Sequence, residues 1–152
     1  VMNDGKIEQI DSPEQIYNKP STKFVAEFMD PATFIDIRIE DPHTLITELG
    51  TIGITDPVDC TNGNLQLLLR GNNTILSADN GPSTVDSVEF RGSHYSYTIK
   101  LASGKLIEYI SRENVLVISQ SVSVSIDRTH PLHIYKNGKY ESTTMIAPRS
   151  KT

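Results

Sequence analysis

The run Ser83–Ile110, STVDSVEFRGSHYSYTIKLASGKLIEYI, constrains the fold more than any other stretch of this chain. Tyr95, Tyr97, Ile99 and Leu101 recur with a period of two, while Ser96, Thr98 and Lys100 fill the alternate positions, as in a strand with one buried side. Ala102-Ser103-Gly104-Lys105 then reverses the chain, and Leu106, Ile107, Tyr109 and Ile110 resume apolar character. The pattern predicts an antiparallel hairpin in which Gly104 takes a positive φ at little steric cost. Upstream, Val88 and Phe90 have the opposite parity to Tyr95 and Tyr97, so a bulge or corner is expected at Gly92. Tyr95 and Tyr97 are expected to be half-buried, with their hydroxyls in water.

The first thirty residues have a different texture. Asn3-Asp4-Gly5 lies between Val1-Met2 and Lys6-Ile7, and Asp-Gly between strands signals a hairpin. Ser12-Pro13-Glu14-Gln15 is a capping box with proline at the first helical position, predicting a short helix over 13–18 that Lys19-Pro20 stops. Ser21 is expected to cap a second helix over 22–29, with Phe24 and Phe28 four residues apart on one apolar face and Val25 beside them. Asp30-Pro31 ends it and marks a boundary.

From Phe34 onward the chain reads as β. Ile35, Ile37 and Ile39 alternate with Asp36, Arg38 and Glu40, and Asp41-Pro42-His43 turns into a second strand over 44–49. LQLLLR, Leu65–Arg70, is a compact apolar strand between Asn-Gly-rich turns. Val122, Val124 and Ile126 alternate with serines, and Leu132–Tyr135 closes the pattern before Asn137-Gly138. From Lys139 the periodicity lapses into Ser, Thr, Pro and Lys, so a disordered tail is expected over 139–152.

VDSVEFRGSHYSYTIKL resembles the signature of the TOBE module, the small OB-like β-domain that follows the nucleotide-binding domain in ATPase subunits of bacterial ABC importers. VMNDGKIEQIDSPEQIYNKPSTKFVAEFMD resembles the last elements of that ATPase domain. The resemblance implies a mainly β, OB-like (TOBE) barrel with a short α-helical N-terminal segment. It divides the chain into a C-terminal remnant of the ATPase domain over 1–30, a regulatory domain over 31–138 and the tail over 139–152. Many TOBE-type domains carry Arg-Pro-Glu where Arg70 is here followed by Gly71-Asn72, so any role of that Pro and Glu does not transfer. RGSHYSYTIKLASGKLIEY is most similar to the ferric-iron importers, with sulfate, polyamine and sugar importers sharing the architecture.

The sequence contains no GxxxxGK[ST] phosphate loop, whose backbone N–H groups and lysine would hold ATP, and no LSGGQ-like signature or acidic Walker B strand. Opening on Val1 in the middle of a strand, the chain is expected to be a piece of a longer ATPase. The piece is expected to be non-catalytic, with no catalytic, cofactor or metal residues and no cofactor of its own; ATP and Mg would belong to the parent protein. The resemblance implies a regulatory and dimerisation role. Its partners would be a second copy of the same subunit and, through the ATPase domain, an inner-membrane permease, which places it in the cytoplasm at the membrane periphery.

The remaining candidates are weaker. His130 and His133 could share a metal, but positions three apart in a strand point to opposite faces. His94, Tyr95 and Tyr97 offer donors suited to ferric iron, and Asp36, Glu40 and Asp41 are close in sequence on a charged face. Cys60 is the one cysteine and reads as a small apolar residue. A net charge of −5, from 14 basic and 19 acidic residues, argues against a polyanion-binding surface. An OB-type nucleic-acid binder would need more cations around Tyr95 and Tyr97, so no nucleic-acid partner is expected. A free-standing oxyanion-binding module remains an alternative. No apolar run is long enough to span a bilayer, so no direct membrane insertion is expected.

Overall fold

The computed structural model describes residues 2–148, except 4, 8, 13, 15, 17, 18, 30, 31, 60–62, 71 and 72, with the backbone alone at 3 and 27–29. The chain is mainly β, its strands lie in open sheets, and the architecture is consistent with an OB-like barrel. It forms two compact units, one of Val1–Leu68 with Arg128–Thr152 and one of Leu69–Asp127.

In the first unit, β1 (Met2–Asn3) and β2 (Lys6–Ile7) pair around Asp4-Gly5, where Gly5 has φ 75°. Glu14 and Ile16 are helical and the Ile16 N–H donates to the Ser12 carbonyl, while the rest of the expected helix over 13–18 lies outside the described residues. Helix α1 (Lys23–Met29) begins one residue later than expected. Its cap is Thr22, not Ser21: Thr22 Oγ1 accepts from the Val25 N–H at 3.3 Å. Val25 and Ala26 are fully buried, whereas the side chain of Phe28 lies outside the described residues.

The alternation of Ile35, Ile37 and Ile39 covers two strands. β3 (Thr33–Asp36) belongs to a four-stranded sheet ordered β14-β13-β7-β3, and β4 (Arg38–Asp41) to a three-stranded sheet with β5 (Thr44–Thr47) and β6 (Gly50–Gly53). The chain changes sheet at buried Ile37, whose N–H donates to the Leu65 carbonyl. β7 (Leu65–Leu69) is buried at every position, polar Gln66 included, as suits a strand between two others.

The expected tail is corrected. Lys139–Thr144 is strand β14, paired antiparallel with β13 (Leu132–Lys136), and Ile146 bridges Ile54. Asn137 (φ 52°) and Gly138 (φ 81°) form the two-residue connection with both residues left-handed, the twist a hairpin favours. KYESTT looked unstructured because most of its side chains are polar; the β13 backbone supplies its order.

This hairpin holds α1. Tyr135 is fully buried, its ring meets Phe34 edge-on at 5.1 Å, and its hydroxyl donates to the Pro20 carbonyl at 2.5 Å. Ala26, Phe34, Leu68 and Tyr135 form a core cluster against which Ala32 and Tyr140 pack. The Tyr140 N–H donates to the Ser21 carbonyl and the Lys23 N–H to the Gly138 carbonyl, so backbone hydrogen bonds run both ways between hairpin and helix entry. Lys23 Nζ donates to Gln66 Oε1 and Gln66 Nε2 donates to Asp36 Oδ1, each at 3.0 Å, satisfying the amide of buried Gln66.

The second unit is a five-stranded antiparallel sheet ordered β11-β10-β9-β12-β8, comprising β8 (Thr74–Ser77), β9 (Ser83–Phe90), β10 (Tyr95–Lys100), β11 (Leu106–Ser111) and β12 (Ser121–Ile126). The β10–β11 hairpin forms as predicted, with Gly104 at φ 92°. Gly92 is neither a bulge nor a corner within a strand. It sits at φ 85° in the loop of a second hairpin, where Phe90 pairs with Tyr95 and the Arg91 N–H donates to the His94 carbonyl. The bulge lies instead within β9: Val85 pairs with Ile99 and Ser87 with Thr98, leaving Asp86 as the extra residue. A hairpin loop and a bulge together produce the change of parity.

Two glycines separate backbone strain from crowding. A Cβ at Gly92 would meet nothing within 4 Å, whereas one at Gly81 would overlap Ser123 Oγ and stand 2.5 Å from the Val122 carbonyl oxygen and 2.7 Å from Ser123 Cα. Gly92→Val is expected to cost about 1–2 kcal/mol from φ alone. Gly81→Ala is expected to cost about 1–3 kcal/mol, because backbone must move. Denaturant unfolding of both variants tests this, and an unchanged midpoint for Gly81→Ala would contradict the close approach.

Candidate functional site

The best-defined polar constellation in the second unit centres on Tyr97. Contrary to expectation, Tyr97 is fully buried and its hydroxyl is not wet. The hydroxyl donates to Asn114 Oδ1 at 2.8 Å and accepts from the Val115 N–H at 3.1 Å and the Leu116 N–H at 3.4 Å. One side chain thus satisfies two backbone donors of the loop that follows β11, at a position where leaving them unpaired would be costly. The loop is fixed at its far end as well. The Val117 N–H donates to Gln120 Oε1, the Gln120 N–H to the Val117 carbonyl, the Ser119 N–H to the Val85 carbonyl and the Val85 N–H to the Gln120 carbonyl.

This held loop buries Leu116 but exposes Val115, Val117 and Ile118 at 56%, 68% and 58%. Those values matter because an apolar side chain more than half exposed on a loop without slack contributes little to folding and is available for contact. On the face of the sheet that carries Tyr97, its ring lies 6.3 Å from that of Tyr109, and the next pair toward the hairpin tip, Phe90 and Tyr95, has ring centroids 5.0 Å apart. Phe90 is exposed and Tyr95 half-buried, as expected for Tyr95.

The structure disperses the other candidates. His94 Nδ1 lies 3.0 Å from Ser93 Oγ in the hairpin loop, and Tyr97 Oη is saturated by the loop, so His94, Tyr95 and Tyr97 do not present a common donor set. His133 Nδ1 lies 2.9 Å from Thr143 Oγ1 across the β13–β14 hairpin, while His130 sits in the turn before β13. Asp36 accepts from Gln66 and Asp41 Oδ1 accepts from the His43 N–H at 2.8 Å, while Glu40 is exposed. Asp36 and Asp41 thus each serve a local structural role. Arg70 is buried at the end of β7 and its N–H donates to Asn73 Oδ1; Gly71-Asn72 and Cys60 lie outside the described residues. Among the described residues, no group of three or more His, Cys, Asp or Glu is placed to hold a metal ion, and no helix is long and apolar enough to cross a membrane.

No protein-family model matches the chain. Curated relatives do. It is 33% identical over 105 residues to the spermidine/putrescine import ATP-binding protein PotA of Onion yellows phytoplasma, covering 67% of this chain and 25% of that protein. It is 28% identical over 138 residues to the PotA of Aster yellows witches'-broom phytoplasma, covering 89% of this chain and 33% of the relative. Over 142 residues it is again 28% identical to the PotA of Borreliella afzelii, covering 88% of this chain and 39% of the relative. Its homologues are ATP-binding subunits of importers. The chain spans about a quarter to two fifths of their length.

These relatives lend no support to the ferric-iron expectation, since they are named for spermidine and putrescine import. The structure supplies the reason. The Gly corner, Tyr-x-Tyr and Ser-Gly turn that suggested iron are a hairpin loop, a core tyrosine beside a half-buried one, and a second hairpin turn. They report how the sheet is built.

Tyr97→Phe keeps the ring but removes the acceptor of the Val115 and Leu116 N–H groups. It is expected to cost about 1–3 kcal/mol. Hydrogen exchange should show faster exchange at 114–118, with little change in β13 and β14. Uniform acceleration across the chain would contradict a local role.

Proposed function

We propose that this chain is the regulatory and dimerisation region of the ATP-binding subunit of a bacterial ABC importer for polyamines, with residues 1–30 corresponding to the last elements of the nucleotide-binding domain and the β-region to a TOBE-type domain. The observation that carries this reading is a similarity reaching 89% of the chain, to relatives that are import ATP-binding proteins, in a sequence that has no phosphate loop. Nucleotide chemistry then belongs to the part of such a subunit that this chain does not match. ATP and Mg would bind there, as would the permease that holds the subunit at the cytoplasmic side of the membrane. The present chain contributes indirectly, by holding two subunits together and biasing their closure on ATP.

The docking of α1 supports such a role. Under this reading α1 belongs to the nucleotide-binding side, and it is joined to the β13–β14 hairpin by the Tyr135–Pro20 hydrogen bond and by the two backbone bonds at Ser21 and Lys23. A joint built from buried aromatic packing and satisfied backbone groups transmits displacement, which a flexible linker would absorb.

Calorimetric titration of the 152-residue chain with Mg-ATP is expected to give no saturable heat. A micromolar dissociation constant would overturn the assignment. Deleting the gene should abolish high-affinity spermidine uptake and leave ferric-iron uptake unchanged. Unaltered polyamine uptake would remove the cargo from the proposal while leaving the importer reading in place.

A further inference from the structure

We propose that Asn80 is a site of spontaneous covalent modification, at which the backbone nitrogen of Gly81 displaces ammonia from the Asn80 carboxamide and water opens the resulting succinimide to isoaspartate or aspartate. The proposal does not rest on the importer reading. The Gly81 nitrogen bonds to Asn80 Cγ, the Cγ–Nδ2 bond breaks, and the proton lost from the backbone nitrogen ends on the leaving ammonia. One water then opens the five-membered ring at either carbonyl, so the atoms balance with water as the sole co-reactant. The step needs a free carboxamide, a free backbone nitrogen and no side chain on the attacking residue. The connection between β8 and β9 meets all three conditions. Asn80 is exposed, and among the described residues neither its carboxamide nor the Gly81 N–H has a hydrogen-bond partner. Packing fixes glycine at 81, since a Cβ there would overlap Ser123 Oγ and crowd the Val122 carbonyl oxygen. The carboxamide is the group that must move, and it stands on the solvent side. Asn80 also takes φ 61°, a left-handed conformation that few side chains tolerate, and the methylene that isoaspartate adds to the backbone releases that constraint.

The chain supplies its own control. Three Asn-Gly pairs occur in the sequence, and Asn62 of one of them lies outside the described residues. Asn137-Gly138 has the same chemistry in a different setting. Asn137 Oδ1 accepts from the Asn64 N–H at 3.0 Å, and the Asn137 N–H donates to the Asn64 carbonyl at 2.9 Å. Its carboxamide must therefore give up a hydrogen bond before it can meet the Gly138 nitrogen.

Conversion at Asn80 matters because of where the connection lies. β8 is an outer strand that joins the sheet through β12 alone. The connection leaving β8 is fastened to β12 by Ser123 Oγ, which donates to Asp79 Oδ1 at 2.6 Å. A carboxylate at 80 stands next to that of Asp79, and neither the stretch 73–90 nor β12 contains a basic residue to offset it. The added charge and the added methylene both act against the fastening, so β8 loosens while β10 and β11, on the other side of the sheet, keep their pairing.

The test is to hold the folded 152-residue chain at mildly alkaline pH and follow its proteolytic peptides by mass spectrometry, with an isoaspartate-specific methyltransferase as the probe of the product. The Asn80 peptide is expected to gain the mass of amide-to-acid conversion and to accept methyl groups, faster as pH rises because the Gly81 nitrogen attacks in its deprotonated form. It should convert at least about fivefold faster than the Asn137 peptide, the factor that one net hydrogen bond supplies. In strong denaturant, where both carboxamides are free, the two rates should converge. Asn80→Gln, whose longer side chain would have to close a six-membered ring, should abolish the signal at this peptide. Hydrogen exchange of the converted protein should be faster at 74–77 and unchanged over β10 and β11. Equal rates at the two sites in the folded chain would overturn the proposal. So would an Asn80 that converts only in denaturant, by showing that the packing of Gly81 on β12 closes the site. Conversion with unchanged exchange at 74–77 would overturn the loosening of β8. The importer reading is decided separately, by the ATP and uptake measurements.

Discussion

The first unit depends on one buried tyrosine. Tyr135 lies in β13, near the C-terminal end of the chain, and its hydroxyl reaches the carbonyl of Pro20, 115 residues earlier. Pro20 lies two residues before the cap Thr22, outside α1, and its carbonyl would be costly to bury unpaired. The ring that supplies the donor also packs edge-on against Phe34 at the start of the sheet and against Tyr140 on the neighbouring strand. Helix entry, first strand and last hairpin therefore meet at a single side chain, and each would lose its cover if the other two moved.

The second unit uses the same device for a different purpose. Tyr97 is equally buried, and its hydroxyl also ends on backbone, but here it satisfies a loop that has no secondary structure of its own. The loop is made rigid from beneath, which frees its upper side chains from any structural duty. That division of labour explains how Leu116 can be buried while Val115 and Val117, on either side of it, are exposed without cost to the core. A surface loop whose apolar residues were needed for packing would have turned them inward.

The strands and hairpins were legible because they leave short-range marks: alternation at Tyr95–Leu101, Asp-Gly at residues 4–5, and Gly104 between apolar runs. What was missed depends on distant partners. The parity change around Phe90 was visible, but one corner and the actual combination of a hairpin loop with a bulge at Asp86 predict the same alternation. β14 was hidden because KYESTT lacks an apolar stripe and draws its order from β13; the Asn137-Gly138 signal that announces its hairpin was present and was read as an end. The burial of Tyr97 could not be inferred from a period of two, since alternation assigns a face and says nothing of a loop that later folds back over it.

The motifs that suggested a cargo have structural roles, for a related reason. Gly92, Tyr97 and Gly104 suit their positions because a hairpin loop needs a positive φ, a core needs a buried ring with a partnered hydroxyl, and a tight turn needs a second positive φ. Each requirement follows from the sheet itself. What the fold leaves free are exposed side chains such as Val115, Val117 and Ile118 of the 113–118 loop and the charged Arg112 and Glu113 beside them.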